Sequence, residues 1–282
     1  MAYTNSILLS SIKRRALIPN SQQTFQDDEL LDMASEVIES FVMPLILQSR
    51  QEFYVTYDDI AITKRSSDNF GWIRIPQRAI GQSIVEVRNT NDYPLDSTDY
   101  WVEGSKIYFG DASSGTYRVY YYIRPSKLVE VSECGRITDI NTTTGEITVS
   151  SVPSDFTTSL EYDFVRGKAS FDTLGRNLTA SAVGASSITF TASDLPSELV
   201  VGDYVATSDE SPIPQIPVEW FNYLAQLTAV QVLESIGDHE AMKLAAAKLE
   251  KMEKHMLSLI SPRIEKKAKA IVRPFYDEPY DF

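Results

Sequence analysis

The chain has 282 residues, 43% of them apolar and 23% charged, so it can bury a core of ordinary globular size and is neither fibrous nor disordered. Its 26 Lys and Arg against 39 Asp and Glu give a formal charge of −13, which argues against a static nucleic-acid clamp, because phosphate binding needs surplus cations on the contact face. One cysteine, Cys134, excludes an intrachain disulfide and a thiolate metal site, and two histidines, His239 and His255, leave little imidazole chemistry.

The longest apolar run reaches only from Phe41 to Leu47 and contains Pro44, far short of the roughly 20 residues a bilayer span needs, so no membrane partner is expected. The triplet Lys13-Arg14-Arg15 follows Ile7-Leu8-Leu9 rather than preceding it, the wrong order for a secretion signal, and the expectation is folding in cytoplasm.

Residues 1–24 carry Asn, Ser, Gln and Pro without a sustained period and read as an N-terminal arm. A helix follows over 25–50. Leu30, Leu31, Ala34, Val37, Ile38, Phe41, Val42 and Leu45 form its apolar stripe, opposite Asp28, Asp32, Glu36 and Glu39. Thr24 and Asp27 read as a weak capping box, and Pro44 is expected to kink the last turn or end the helix early.

Residues 51–130 change to a period of two. Strands are expected at Phe53–Tyr57, Trp72–Ile75, Ile84–Arg88, Tyr100–Glu103, Lys106–Phe109 and Thr116–Arg124, with a tight hairpin turning at Gly104. In the last of these Tyr117, Val119, Tyr121 and Ile123 share one face. Arg118, Tyr120, Tyr122 and Arg124 share the other, and their Tyr/Arg chemistry makes them the candidate intersubunit surface.

A second β block, 131–211, is richer in Thr, Ser, Gly and Asp and reads as an inserted small barrel or sandwich. Its strands are expected at Gly135–Ile140, Glu146–Ser150, Leu160–Val165, Ser187–Thr191 and Asp203–Thr207. The proline-rich lead Pro212 to Pro217 then opens a helix with Trp220, Phe221, Leu224, Leu227, Val230 and Leu233 on one face, stopping at Gly237. Asp238 caps another helix at once, so the pair forms an antiparallel αα-hairpin, and residues 25–50 and 212–261 are placed together in one helical domain. The fold class is therefore α+β: an N-terminal helix plus a C-terminal αα-hairpin, a large antiparallel β insertion, and extended termini.

Residues 262–282 show no period. Arg263, Lys266, Lys267, Lys269 and Arg273 lead into Pro274-Phe275-Tyr276-Asp277-Glu278-Pro279-Tyr280-Asp281-Phe282. Extended at ~3.3 Å per residue this tail reaches roughly 70 Å. Arg273, Phe275, Tyr276, Tyr280 and Phe282 are its candidate anchors, suited to a neighbour's groove or sheet edge.

Catalytic patterns are missing from the sequence. There is no G-x-G-x-x-G, H-E-x-x-H, G-x-S-x-G or EF-hand spacing, and position 162 is Tyr where a phosphate loop ending at Gly167-Lys168 would need glycine. Asp27-Asp28, Asp58-Asp59 and Asp209-Glu210 are adjacent acids, and neighbours on a strand point apart. The expectation is a non-enzymatic protein with no cofactor and no metal.

The helix from Thr24-Phe25-Gln26-Asp27-Asp28-Glu29-Leu30-Leu31 to Val42-Met43-Pro44-Leu45, the β section, and the αα-hairpin with Gly237-Asp238 at its bend and Ser261-Pro262-Arg263 at its exit resemble the head-to-tail connector (adaptor or neck ring) proteins of tailed bacteriophages, most of all podophage and crAss-like ring proteins. Val201-Gly202-Asp203-Tyr204 and the Pro212–Pro217 lead also look at home there. The resemblance implies a virion protein at the head–tail junction, a ring commonly of twelve copies that docks on the portal protein, meets the tail or a second neck ring, and lets double-stranded DNA pass. It also implies that the C-terminal segment engages the portal or adjacent subunits, and that neither catalysis nor a cofactor is involved. An acidic channel wall would let phosphate slide without sticking. The block 131–211, absent from the smallest connectors, would face outward and hold fibres or a second ring. The alternative is a tail-fibre or baseplate binding protein that uses the 131–211 β-domain.

Overall fold

The computed structural model describes residues 3–18, 25–64, 70–96, 98–110, 114–167 and 173–260. The chain is mixed α+β, with helices at both ends of this span and antiparallel sheets between them, including a six-stranded closed barrel.

The first helix, α1 (Asn5–Arg15), corrects the reading of residues 1–24 as an arm. Asn5, Leu8, Leu9 and Ile12 are buried, and Ala16 just beyond continues the same helical stripe. Polar side chains at two buried positions, Asn5 and Ser11, break the apolar pattern in the sequence, and each makes hydrogen bonds there. Asn5 Nδ2 donates to the carbonyls of Val129 (2.6 Å) and Ser211 (2.9 Å), and the Ser11 hydroxyl accepts from Arg15 Nε (3.2 Å).

Next comes α2 (Asp27–Val37). Its cap is Gln26, whose backbone N–H donates to Glu29 Oε2 at 2.9 Å in a capping box, while Thr24 of the expected Thr24/Asp27 pair lies outside the described residues. Pro44 does not end the helix. A π-helical turn at Ile38–Val42 precedes it, in which Met43 N–H donates back to the Ile38 carbonyl, and α3 (Met43–Ser49) starts with Pro44 in its first turn, where a missing N–H is tolerated.

Two three-stranded sheets follow, built from β1 (Val55–Ala61), β2 (Gly71–Arg74), β3 (Glu86–Asn89), β4 (Tyr100–Glu103), β5 (Lys106–Phe109) and β6 (Thr116–Tyr122) in the orders β1-β6-β3 and β2-β5-β4. Ile73, Ile107 and Phe109 of one sheet bury against Val87, Val119 and Tyr121 of the other. The β4–β5 turn places Gly104 at φ +59°, a left-handed conformation natural to glycine.

The chain then passes through β7 (Lys127–Leu128) into β8 (Gly135–Asn141), β9 (Glu146–Val149), β10 (Glu161–Val165), β11 (Thr173–Val183), β12 (Ser187–Phe190) and β13 (Tyr204–Thr207). These six close as β10-β11-β12-β9-β8-β13 around Ile137, Ile147, Tyr162, Phe164, Ile188, Phe190 and Val205. The chain leaves through β14 (Glu210–Ser211), which pairs in parallel with β7, so entry and exit lie side by side. Closure leaves the barrel without a free strand edge of its own.

The lead Ser211 to Pro217 is buried throughout, and it delivers the chain to α4 (Phe221–Ile236) and α5 (His239–Ile260). Gly237, at φ +81°, ends α4 with Asp238 N–H donating to the Leu233 carbonyl at 3.1 Å, and Asp238 Oδ1 caps α5 by accepting from Ala241 N–H at 3.0 Å. Leu30, Leu31, Ala34, Val37, Ile46, Trp220, Leu224, Val232 and Met256 share one core with α1.

Candidate interaction surfaces

The outer face of the β1-β6-β3 sheet gathers tyrosine and charge across all three strands. Register sets Tyr57 opposite Tyr120, Asp59 opposite Arg118, Arg88 opposite Arg118, and Glu86 opposite Tyr120. Arg118 donates to both Asp59 oxygens (Nε to Oδ1 2.8 Å, Nη2 to Oδ2 3.1 Å) and lies over the Tyr57 ring at 4.2 Å. Its hydrogen bond to Asp59 raises the guanidinium further above its ordinary value. Arg88 covers the Tyr120 ring at 4.6 Å and pairs with Glu86 at 2.7 Å and Asp92 at 3.2 Å; the Tyr120 hydroxyl donates to Asp92 Oδ1 at 3.2 Å. Each cation here is matched by carboxylates, so the face displays aromatic rings without a surplus of positive charge.

Of the four residues grouped from the sequence, Arg118 and Tyr120 sit at the centre of this network. Tyr122 stands at its edge, its hydroxyl donating to Gln51 Oε1 at 2.8 Å. Arg124 lies beyond the strand end, exposed and without an ion pair among the described residues. Arg273, Phe275, Tyr276, Tyr280 and Phe282 lie outside the described residues.

The outer face of the β2-β5-β4 sheet carries an aromatic ladder that strand-by-strand reading does not assemble. Trp101 stacks on Tyr108 at 5.5 Å, Phe70 meets the Trp101 edge at 5.0 Å, and Lys106 Nζ lies 3.9 Å over Trp72. Cross-strand register at Trp72/Tyr108 and Trp101/Tyr108 places these rings in a row.

Where the barrel meets the first sheet, charged groups far apart in sequence converge. Arg78 Nη2 donates to Asp163 Oδ2 at 2.5 Å, and Arg78 Nε pairs with Asp209; Asp163 also accepts from the N–H groups of Asn177 (3.0 Å) and Asp209 (3.3 Å). Burial raises the Asp163 carboxyl, opposed chiefly by Arg78. Beside it Arg176 donates to Asp58 Oδ1 (2.7 Å) and the Tyr57 carbonyl (2.9 Å), and the Tyr121 hydroxyl donates to Asp58 Oδ2 (2.7 Å). Burial pushes the Tyr121 phenol up. Asp58 and Asp59 point to opposite faces of β1, one to this junction and one to Arg118, as adjacent strand residues must. A polar cavity of about 180 Å³ lies among Arg78, Arg176, Asp58, Glu161 and Asp209, and a groove of about 520 Å³ runs past Val55 and Thr56 of β1 to Leu174, Pro196 and Glu198.

Cys134 is buried, and desolvation pushes its thiol well above the ordinary range, while His239 and His255 are exposed on α5. Among the described residues no group of three or more His, Cys, Asp or Glu is placed to hold a metal ion, and no helix is long and apolar enough to cross a membrane. No protein-family model matches the chain, and no curated protein matches its sequence.

Proposed function

We propose that this chain is a structural virion protein, a ring-forming head–tail adaptor of a tailed bacteriophage that docks on the portal, links it to the tail or a second neck ring, and forms part of the DNA channel. The observation that carries the reading is the joint core of α2–α3 and the α4–α5 hairpin, from which the paired sheets and the barrel project. A helical unit carrying attached β modules supports the reading, which calls for such a division of the chain. The surfaces support a role without turnover. Arg88 and Arg118 are held in ion pairs and over rings, and the β modules present stacked aromatic side chains suited to protein contacts. With −13 on each copy, a wall built from several copies repels phosphate and lets DNA slide.

The test is to mix purified protein with portal and to image neck structures of intact virions. Rings bound to portal, with this chain in the neck, are expected; particles whose neck lacks the chain would end the proposal. Removing residues 274–282 is expected to weaken portal docking with the fold unchanged, and undiminished docking refutes the role given to Phe275, Tyr276, Tyr280 and Phe282. The alternative, a fibre or baseplate binding protein, rests on the exposed pair Val200 and Val201 on the barrel loop. It requires that barrel substitutions abolish host-surface binding and spare the neck.

A further inference from the structure

The helical unit carries two unpartnered helix faces that complement each other. On α2 and the turn after it, Asp28, Asp32, Glu36 and Glu39 are all exposed and recur at intervals of four, four and three residues, one stripe ending beside the exposed Phe41. On α5, Leu244, Lys248, Lys251, His255 and Leu259 are also exposed and recur at intervals of four, three, four and four. This second stripe contains no acid and has an apolar residue at each end; Leu244 is 77% and Leu259 40% exposed. At ~1.5 Å rise per residue the α2 stripe is about 16 Å long and the α5 stripe about 22 Å.

Among the described residues neither stripe is fully paired. Glu36, Glu39, Lys248 and Lys251 form no ion pair among the described residues, and Asp32 reaches only the exposed Lys127 at 2.8 Å. Acids repeated at i,i+4 repel one another along their own helix, so the α2 stripe is a face whose helix gains from an outside cation. The α5 stripe lies beside the apolar face that Ala241, Ala245, Leu249, Met252 and Met256 turn to the core, and it extends that face into solvent. Both helices pack on α4, yet they contribute different, outward faces.

We infer that the Leu244/Lys248/Lys251/His255/Leu259 face of α5 docks on the Asp28/Asp32/Glu36/Glu39 face of α2 in a second copy of this chain. The inference rests on the ring reading and deepens it by naming the two faces. Opposite charge on faces of similar length selects the partner: between copies that each carry net −13, attraction is gained where the α5 lysines meet the α2 acids. Because the two faces differ, the contact is head-to-tail, and an open chain of copies keeps one free face of each kind at its ends until a ring closes.

The test uses the full chain in two charge-reversed forms, Lys248→Glu/Lys251→Glu and Glu36→Lys/Glu39→Lys. All four sites are exposed, so thermal melting is expected to match the wild type. Sedimentation at low salt is expected to show at least a tenfold loss of self-association for each form alone and its recovery in an equimolar mixture. Added salt weakens the wild-type contact, since exposed charges are screened over about 8–10 Å. For weak association, Glu36→Cys protein is mixed with Lys251→Cys protein under mild oxidant, with Cys134 buried and out of reach. The mixed disulfide dimer is expected to form faster than either protein dimerises with itself. Wild-type protein that self-associates but ignores both reversals overturns the α2–α5 assignment and leaves the ring reading standing. Protein that gives neither self-association nor the mixed cross-link overturns both.

Discussion

Replacing Arg78 by Met tests whether the barrel is fixed to the sheets by a buried ion pair. Arg78 is 7% exposed and Asp163 is 0% exposed, and their contact joins residues 85 positions apart. Losing one partner of such a pair destabilises a protein by about 3–5 kcal/mol, because the other charge stays buried. For Asp163 that penalty has a ceiling, since the carboxylate can take up a proton instead. Protonating a carboxyl of ordinary pKa ~3.9 requires about 4 kcal/mol at pH 7 and about 1.5 kcal/mol at pH 5, at 1.36 kcal/mol per unit. Burial already raises Asp163, and removing Arg78 raises it further. A raised carboxyl holds its proton more tightly in the folded than in the unfolded chain. Its stabilising contribution is therefore complete below the ordinary carboxyl value and is lost as pH climbs through the raised one. Arg78→Met should accordingly cost roughly 4 kcal/mol at pH 7 and clearly less at pH 5 in urea unfolding. Asp163→Asn, which leaves the Arg78 guanidinium with the exposed Asp209 as its remaining carboxylate and no way to lose its proton, should cost about the same at both. An Arg78→Met loss that does not change between pH 5 and pH 7 refutes the reasoning.

Leu8→Ala in α1, at a fully buried position, is expected to lose about 2–5 kcal/mol in the same assay; a loss under about 1 kcal/mol would mean that α1 does not belong to the core. Above pH ~10 the protein should lose stability, because burial raises the phenols of Tyr54 and Tyr121 and pushes Tyr223 up to about 12. Each phenol's contribution is complete below its unfolded value and is lost as pH rises through the folded one, so thermal melting that stays flat from pH 9 to 12 contradicts it. Gly145→Ala should unfold the barrel more than the ~1–2 kcal/mol of a left-handed residue alone, since Gly145 has φ +74° and an added Cβ would sit 2.1 Å from the Phe190 carbonyl oxygen. Barrel stability within about 1 kcal/mol of wild type, read by urea unfolding, would show that the backbones can part there.

The parts of the fold readable in the sequence are those with local causes. Gly237-Asp238 both stops one helix and starts the next, so the hairpin bend is written in adjacent residues. Tyr100–Glu103 and Lys106–Phe109 alternate cleanly about Gly104, and both strands form with those bounds. The longest strand, Thr173–Val183, is illegible for a physical reason. Register shifts opposite Tyr162 to Val165 and again at Ala180 to Ala182, with Asn177 at φ +54°, break the period of two that marks a strand. The α1 helix hides behind the polar buried positions of Asn5 and Ser11. The ion-pair junction leaves no local trace, because Arg78, Asp163 and Arg176 are brought together only by packing barrel on sheet. Arg118 and Tyr120 were legible as one face, but their partners Asp59, Arg88 and Asp92 come from register and turn geometry, which residue types alone do not specify.

These long-range contacts explain how a barrel attached through one pair of short strands can hold a fixed direction. A parallel β7–β14 pair by itself leaves rotation about the link open. Arg78 with Asp163 and Arg176 with Asp58 tie the barrel to the sheets, while Gln215 Nε2 donating to Thr173 Oγ1 at 2.8 Å ties it to the lead into α4. Gln215 Oε1 also accepts from Ser126 N–H at 2.7 Å, so one buried side chain joins the chain before the barrel, the barrel itself and the chain after it. Attachments at separate points block the rotation that a single link allows. Load applied to the barrel is then passed to the helical unit through buried charge and hydrogen bonds, groups whose separation exposes an unsatisfied partner at each end. Under the proposed adaptor role, which requires neighbours to be held at set positions, that coupling matters more than the stability of either part alone.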